Sequence, residues 1–295
     1  MKIAIRDEIL LESFPCITEG LNSLNLNQFE LHLNNDFQSY SLNSNHKISL
    51  KSEEELLSLK KELQEQNIIV SALLTDFDIS MHTENQSIDW LKNAVNIACT
   101  LGTPIIRIDS LLQQEHLYTF GKKIELFSNI FSELFAEIED TPIKFAIENH
   151  GKEGNNPIFL LSVVHTIDDP RLGLTLDFGN FYWRGYPLSE TEAILKLLAP
   201  YAKHTHIKNI AYPKTAQEIY RETGWEYDTY VCPIFKGDIN IETILTELKK
   251  TNYDGVLCIE DESLGHFEDI TQKRQILKQD VEFLIEITND IQFDN

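Results

Sequence analysis

Two periodicities alternate along this chain. Short apolar runs bounded by turn residues read as buried strands, and they fall at 2–6, 29–33, 68–74, 104–109, 143–149, 172–177, 202–208 and 255–260. Between them apolar residues recur at helical spacing. Trp90, Ala94, Ile97, Ala98 and Leu101 make one stripe, which Gly102 stops. Phe120, Ile124, Phe127, Phe131, Phe135 and Ile138 make another. Ser52 three residues before Glu55 predicts a capping box that opens a helix to about Gln66, and Ser189 with Glu192 caps one that Pro200 ends. Further helices are expected over 11–24, 157–166, 238–250 and 268–288. Two stretches follow neither period. The Asn/Ser-rich segment 34–49 reads as a long polar loop. The segment 209–237, with Tyr212, Tyr220, Trp225, Tyr227 and Tyr230, reads as an inserted flap.

Strands alternating with helices predict a parallel sheet, because crossovers join parallel neighbours. Eight such units close naturally as a (β/α)8 barrel, one α/β domain over 1–295. An open doubly wound sheet would scatter the strand ends along an edge, whereas a barrel converges them on one face. That convergence matters because four strands end in polar side chains: Glu148-Asn149-His150, Asp177, His204-Thr205-His206 and Glu260-Asp261-Glu262. Glu148 to Asp177 and Asp177 to His206 are each 29 residues, about one βα repeat. His206 to Glu260 is 54, one repeat plus the insertion. Side chains alternate along a strand, so Glu148, Asp177, His206 and Glu260 can all point inward together.

Three carboxylates and an imidazole form a hard, oxygen-rich set. It suits one divalent cation, Mn²⁺, Mg²⁺ or Co²⁺ ahead of Zn²⁺. Such an ion acidifies a C–H beside a carbonyl and holds the enediolate that forms, with Glu148 and Glu260 placed to move the proton. Around this centre Asn149 and His150 are expected to line the site. Arg107 is either a rim cation for a substrate anion or a barrel ion pair. His82 and Arg184, in loops after the third and sixth strands, are further candidate substrate contacts. His204, one layer deeper than His206, reads as a hydrogen-bonded histidine behind the ligand.

Composition narrows the partners. The chain has 295 residues and a formal net charge of −22. That balance argues against nucleic acid or an anionic membrane, since phosphate backbones are met by basic stripes. No apolar run approaches the ~18 residues of a membrane span. Cys16, Cys99, Cys232 and Cys258 lie far apart with no C-x-x-C pair, which predicts reduced thiols in a cytoplasmic protein.

The segments ENHG, LDFGN, HTHIKN and GVLCIED resemble the xylose isomerase-like TIM-barrel superfamily of sugar isomerases, epimerases and inosose dehydratases, with an abasic-site endonuclease branch. The resemblance covers essentially the whole chain. It implies a mononuclear metal on Glu148, Asp177, His206 and Glu260, cis-enediolate proton transfer, and substrate contact by Lys208, two residues after the ligand histidine. Ketose 3-epimerases of this family usually carry a histidine where this chain has Asn180, and an arginine where it has Tyr212. Asn180 is therefore a substrate-side candidate that departs from the pattern. The expected function is a metal-dependent sugar or polyol isomerase or epimerase. The alternatives are an inosose-type dehydratase, a metal-dependent nuclease of the endonuclease branch and a non-catalytic sugar-binding protein. Substrate selection is expected in 34–49, 76–87 and 209–237. A homo-oligomer is expected by analogy alone.

Overall fold

The eight apolar runs pair side by side as parallel strands that close on themselves in a computed structural model describing residues 1–110, 113–139 and 141–293. They are β1 Lys2–Arg6, β2 Gln28–Leu33, β3 Ile69–Thr75, β4 Ile105–Ile108, β5 Lys144–Glu148, β6 Leu172–Asp177, β7 Ala202–Ile207 and β8 Val256–Ile259. Each strand neighbours the next in sequence, and β8 returns to β1, with Lys2 opposite Val256 and Ile5 opposite Ile259. The helices that follow the strands are α1 Ile17–Leu24, α2 Glu53–Glu65, α3 Glu84–Leu101, α4 Phe120–Glu137, α5 Pro157–Ile167, α6 Leu188–Leu198, α7 Ile241–Lys250 and α8 Ile270–Phe293. This is a (β/α)8 barrel, as the alternation of periods predicts.

The two faces of each strand divide the labour. Outward positions such as Phe29, Leu31, Phe145, Ile147, Leu174 and Leu176 are fully buried against the helices in one continuous apolar core. Inward positions hold a separate small apolar cluster, Ala72, Ile105 and Ala146, and above it the polar side chains of the site.

Local chemistry sets the helix ends. A full capping box of Thr83 and Gln86 opens α3, and Gly102 at φ +75° closes it. Ser52 does accept from the Glu55 amide, but the Glu55 carboxylate turns back to the Ser49 amide, so only half of that box forms. α6 starts one residue before Ser189, after Pro187, and the Ser189 hydroxyl instead donates to Glu218 at 2.7 Å. The helix expected over 11–24 is broken into a turn at Asp7–Leu11 and α1, because Pro15 has no amide to continue the ladder. The segment 34–49 is no plain loop: Gln38–Tyr40 and Lys47–Ser49 pair as an antiparallel hairpin. Within 209–237, Asn209–Ile210 pairs antiparallel with Val231–Cys232 and short helical turns fill the space between.

Candidate metal centre

β5 and β6 finish in Glu148 and Asp177, β7 carries His206 as its last residue but one, and β8 is followed directly by Glu260. Register brings them level, with Asp177 opposite His206 and His206 opposite Cys258 on the other side. Glu148, Asp177, His206 and Glu260 are buried and each offers a ligand atom, all within 4.8 Å of one another. His206 Nδ1 lies 3.3 Å from Glu148 Oε1 and 3.4 Å from Glu260 Oε2.

The other polar atom of each residue is engaged elsewhere. Asp177 Oδ1 accepts from the amides of Gly179 at 2.8 Å and Asn180 at 2.7 Å. His206 Nε2 donates to Glu30 at 2.8 Å. Arg107 holds Glu148 Oε2, and Arg6 holds Glu260 Oε1. What remains is Asp177 Oδ2, His206 Nδ1 and Glu260 Oε2, three buried atoms with no aligned hydrogen-bond partner. A buried polar atom left unpaired costs about 1–3 kcal/mol. Three such atoms converging with Glu148 Oε1 define a pocket that a cation fits.

The electrostatics agree. Burial and the Glu260 carboxylate push Asp177 well above the ordinary aspartate range, against Lys208. Burial also opposes ionisation of Glu148, yet Arg107 and His206 hold it well below the glutamate range. Glu260 is likewise held low, by Lys208, His206 and Arg6 against burial. A divalent ion would reverse the penalty on Asp177, since a bound cation inverts the local preference for the protonated acid.

Lys208 reaches the same point. Its Nζ lies 3.2 Å from Asp177 Oδ2, from Glu260 Oε2 and from Glu262 Oε1. Its stem passes so close to Gly179 that a Cβ there would lie 2.7 Å from Lys208 Cγ. Asn180 Nδ2 donates to Glu148 Oε1 at 3.2 Å, so this residue faces the cluster. Arg107 is a barrel ion pair, bound to Glu148, to Asp109 at 3.0 Å and to the Thr75 carbonyl at 3.1 Å. His150 sits at the rim with Nδ1 2.8 Å from Asp109.

Three other expected residues go elsewhere. Asn149 clamps the neighbouring strand, giving Nδ2 to the Asp177 carbonyl and taking the Asp177 amide on Oδ1. His82 is exposed and stacks on Phe77, 4.6 Å between rings. Arg184 turns to Thr223 in the insertion at 2.8 Å.

Glu30, in mid-strand, and Arg6, the last residue of β1, are further participants that the repeat spacing does not reveal. Glu30 is fully buried in mid-strand and bridges His206 to His204, 2.9 Å away. With Cys258 these three make a second group able to approach an ion. The aligned Glu30–His206 bond gives that group a different reading: it takes the Nε2 proton and aims Nδ1 at the cluster, the arrangement that orients a ligand histidine. Against burial, Glu30, Glu260 and Glu148 hold the imidazole's proton affinity well above the usual range.

The fold and this constellation together define a metal-capable (β/α)8 barrel. A model of the xylose isomerase-like TIM barrel matches residues 21–287, and the chain belongs to that family. An uncharacterized protein of Methanocaldococcus jannaschii is 27% identical over 252 residues, covering 82% of this chain and 78% of that one. Among solved structures, an IolI protein with a bound zinc atom superposes with a TM-score of 0.72 at 18% identity over 100% of both chains. A D-tagatose 3-epimerase-like protein gives 0.64 at 23% identity over 97% of this chain and 99% of its own.

Proposed function

We propose that the protein is a metal-dependent isomerase or epimerase acting on a sugar or polyol, with Glu148, Asp177, His206 and Glu260 as the metal ligands. One observation carries the reading: each of the four turns one ligand atom to a common point, where among the described residues only Lys208 Nζ and the Asn180 amide reach them, while its other polar atom is tied down elsewhere. The zinc in the IolI structure and the epimerase likeness support it. Four ligands of this hardness suit Mn²⁺, Mg²⁺ or Co²⁺, with Zn²⁺ also accommodated.

A divalent ion held there supplies Lewis acidity to a substrate carbonyl and its adjacent hydroxyl. The chain's own groups do the rest. Glu148 ends β5, Glu260 follows β8, and they flank His206 from opposite sides, so either can take the proton beside the carbonyl and, once it carries that proton, return it to the enediolate. An epimer requires the carboxylate on the opposite face to enter the cycle protonated. Without substrate, their arginine partners keep both ionised and ready to accept. Lys208 Nζ, pushed upward by Asp177 and Glu260 against burial, remains an ammonium able to hold the developing enediolate oxygen. Tyr227 from the insertion bonds Glu262, which pairs with Lys208, so the flap covers this side of the site. Arg6, Arg107 and Lys208 are each already bound to carboxylates. The reacting end of the substrate is therefore hydroxyl-rich and uncharged.

Elemental analysis of the purified wild type and of His206→Ala tests this first. About one divalent ion per chain, absent from the variant, is the expected outcome, followed by turnover on a panel of ketoses, aldoses and inososes. Product that has lost water would move the assignment to a dehydratase. Three zinc ions would favour a nuclease, and a chain that takes up no metal even when supplied with it sinks the proposal.

A further inference from the structure

The opposite end of the barrel carries the reverse charge pattern. A cavity of about 260 Å³ opens there among the strand beginnings, lined by Lys2 of β1, Gln28 of β2, Lys144 of β5 and Lys203 and His204 of β7. Three lysines thus meet in a chain where Asp and Glu outnumber Lys and Arg by 47 to 25. Among the described residues Asp254 is the one carboxylate in the lining, and none of the three ammonium groups has an ion-paired or hydrogen-bonded partner.

The backbone is built to put Lys203 there. β7 slips register between Ala202 and His204, which face Leu174 and Thr175, so Lys203 is the extra residue of a bulge. Bulges re-aim side chains. The stem of Lys203 then crosses Gly173, where a Cβ would lie 2.5 Å from Lys203 Cγ and 2.4 Å from the Tyr201 carbonyl. Burial and the nearby Lys144 push the Lys203 amine down from its usual value. Lys144 is exposed and Lys203 half-buried; the two like charges repel, and an anion between them relieves that cost.

We infer that this N-terminal mouth binds one small oxyanion of the phosphate class, held by Lys144 and Lys203 with Lys2 and Gln28 beside them. The volume suits a tetrahedral oxyanion with some of its water, at ~30 Å³ per water. Ala72, Ile105 and Ala146 fill the barrel between this mouth and the carboxylate cluster. The occupant is accordingly a separate ligand and not the tail of a substrate bound at the other end.

Calorimetric titration of inorganic phosphate into the metal-loaded chain at low ionic strength tests the site. One saturable phosphate per chain is expected for the wild type and for His206→Ala, with affinity about tenfold lower in Lys144→Met/Lys203→Met. Phosphate should also raise the melting temperature of the wild type and not that of the double variant. Absence of saturable binding, equal affinity in the double variant, or loss of binding in His206→Ala alone would each overturn the assignment. Should the double variant misfold, amine acylation of the wild type decides: phosphate must protect Lys144 and Lys203, and unprotected lysines refute the site.

Discussion

Glu30 lies between Phe29 and Leu31, two fully buried residues that face the helices, and its own side chain points the other way, into the barrel. A buried carboxylate survives only when it is paired. Here burial pushes Glu30 up, but His206 and His204 outweigh it and hold it well below the glutamate range. Its hydrogen bond fixes His206 with the proton on Nε2. Substituting Glu30→Gln keeps an acceptor but removes the charge that strengthens the imidazole as a ligand. Metal affinity, read by competition against a chelator, is expected to fall about 10–100-fold. Unchanged affinity with a correctly folded chain would show that Glu30 is only a core ion pair. Glu30 escapes sequence reading for a physical reason. Glu148, Asp177, His206 and Glu260 stand at the ends of apolar runs and repeat at strand–helix spacing. Glu30 is a single charge in mid-run, and its partners lie 174 and 176 residues away, met only through barrel closure. Arg6 does stand at a strand end, but its partner Glu260 lies 254 residues away, a pairing made only when β8 closes on β1.

Elements with a strong period are the ones the sequence reveals. The phenylalanine stripe of α4 packs as its spacing predicts: Phe131 meets Phe145 of β5 edge-on at 5.3 Å, and Phe127 meets Phe159 of α5 at 5.7 Å. Phe131 is fully buried. Its replacement by alanine removes that ring from a close-packed layer and should cost about 3–5 kcal/mol in urea unfolding. Metal bound per folded chain should stay unchanged, because β5 presents Glu148 on its other face. Loss of metal in proportion to stability would mean that strand position and site are coupled more tightly than the two-faced strand implies. Elements without a period are the ones that could not be read. The hairpin in 34–49 has strands of three residues, too short to show alternation. The insertion is fixed by side chains meeting through space: Arg221 lies over the rings of Tyr182 and Tyr212 at 4.5 and 4.3 Å, and Asp238 accepts from Tyr182 and the Tyr212 amide. No local pattern encodes such contacts.

For the whole molecule, the barrel is legible because one unit recurs eight times, and closure follows once each strand must have two neighbours. Closure also concentrates charge. It gathers the carboxylates of the first, second, fourth, fifth, sixth and eighth units at one end, and their mutual repulsion is part of what Arg6, Arg107 and Lys208 offset. A divalent ion among Glu148, Asp177, His206 and Glu260 would offset more of it, and it would bind only the closed barrel, since the four residues span three successive repeats and an insertion. Ligand that binds the native state alone stabilises it by about 2.7 kcal/mol when present at a hundred times its dissociation constant. Stripping the ion with a chelator should therefore lower the melting temperature by several degrees, taking roughly 2–4 °C per kcal/mol for a chain approaching this size. Adding back Mn²⁺ or Co²⁺ should restore it. His206→Ala should melt at one temperature with or without metal, because its folded state has lost the ligand that joins the two glutamates. A variant that still gains several degrees from the ion would place the stabilising metal somewhere other than at this cluster.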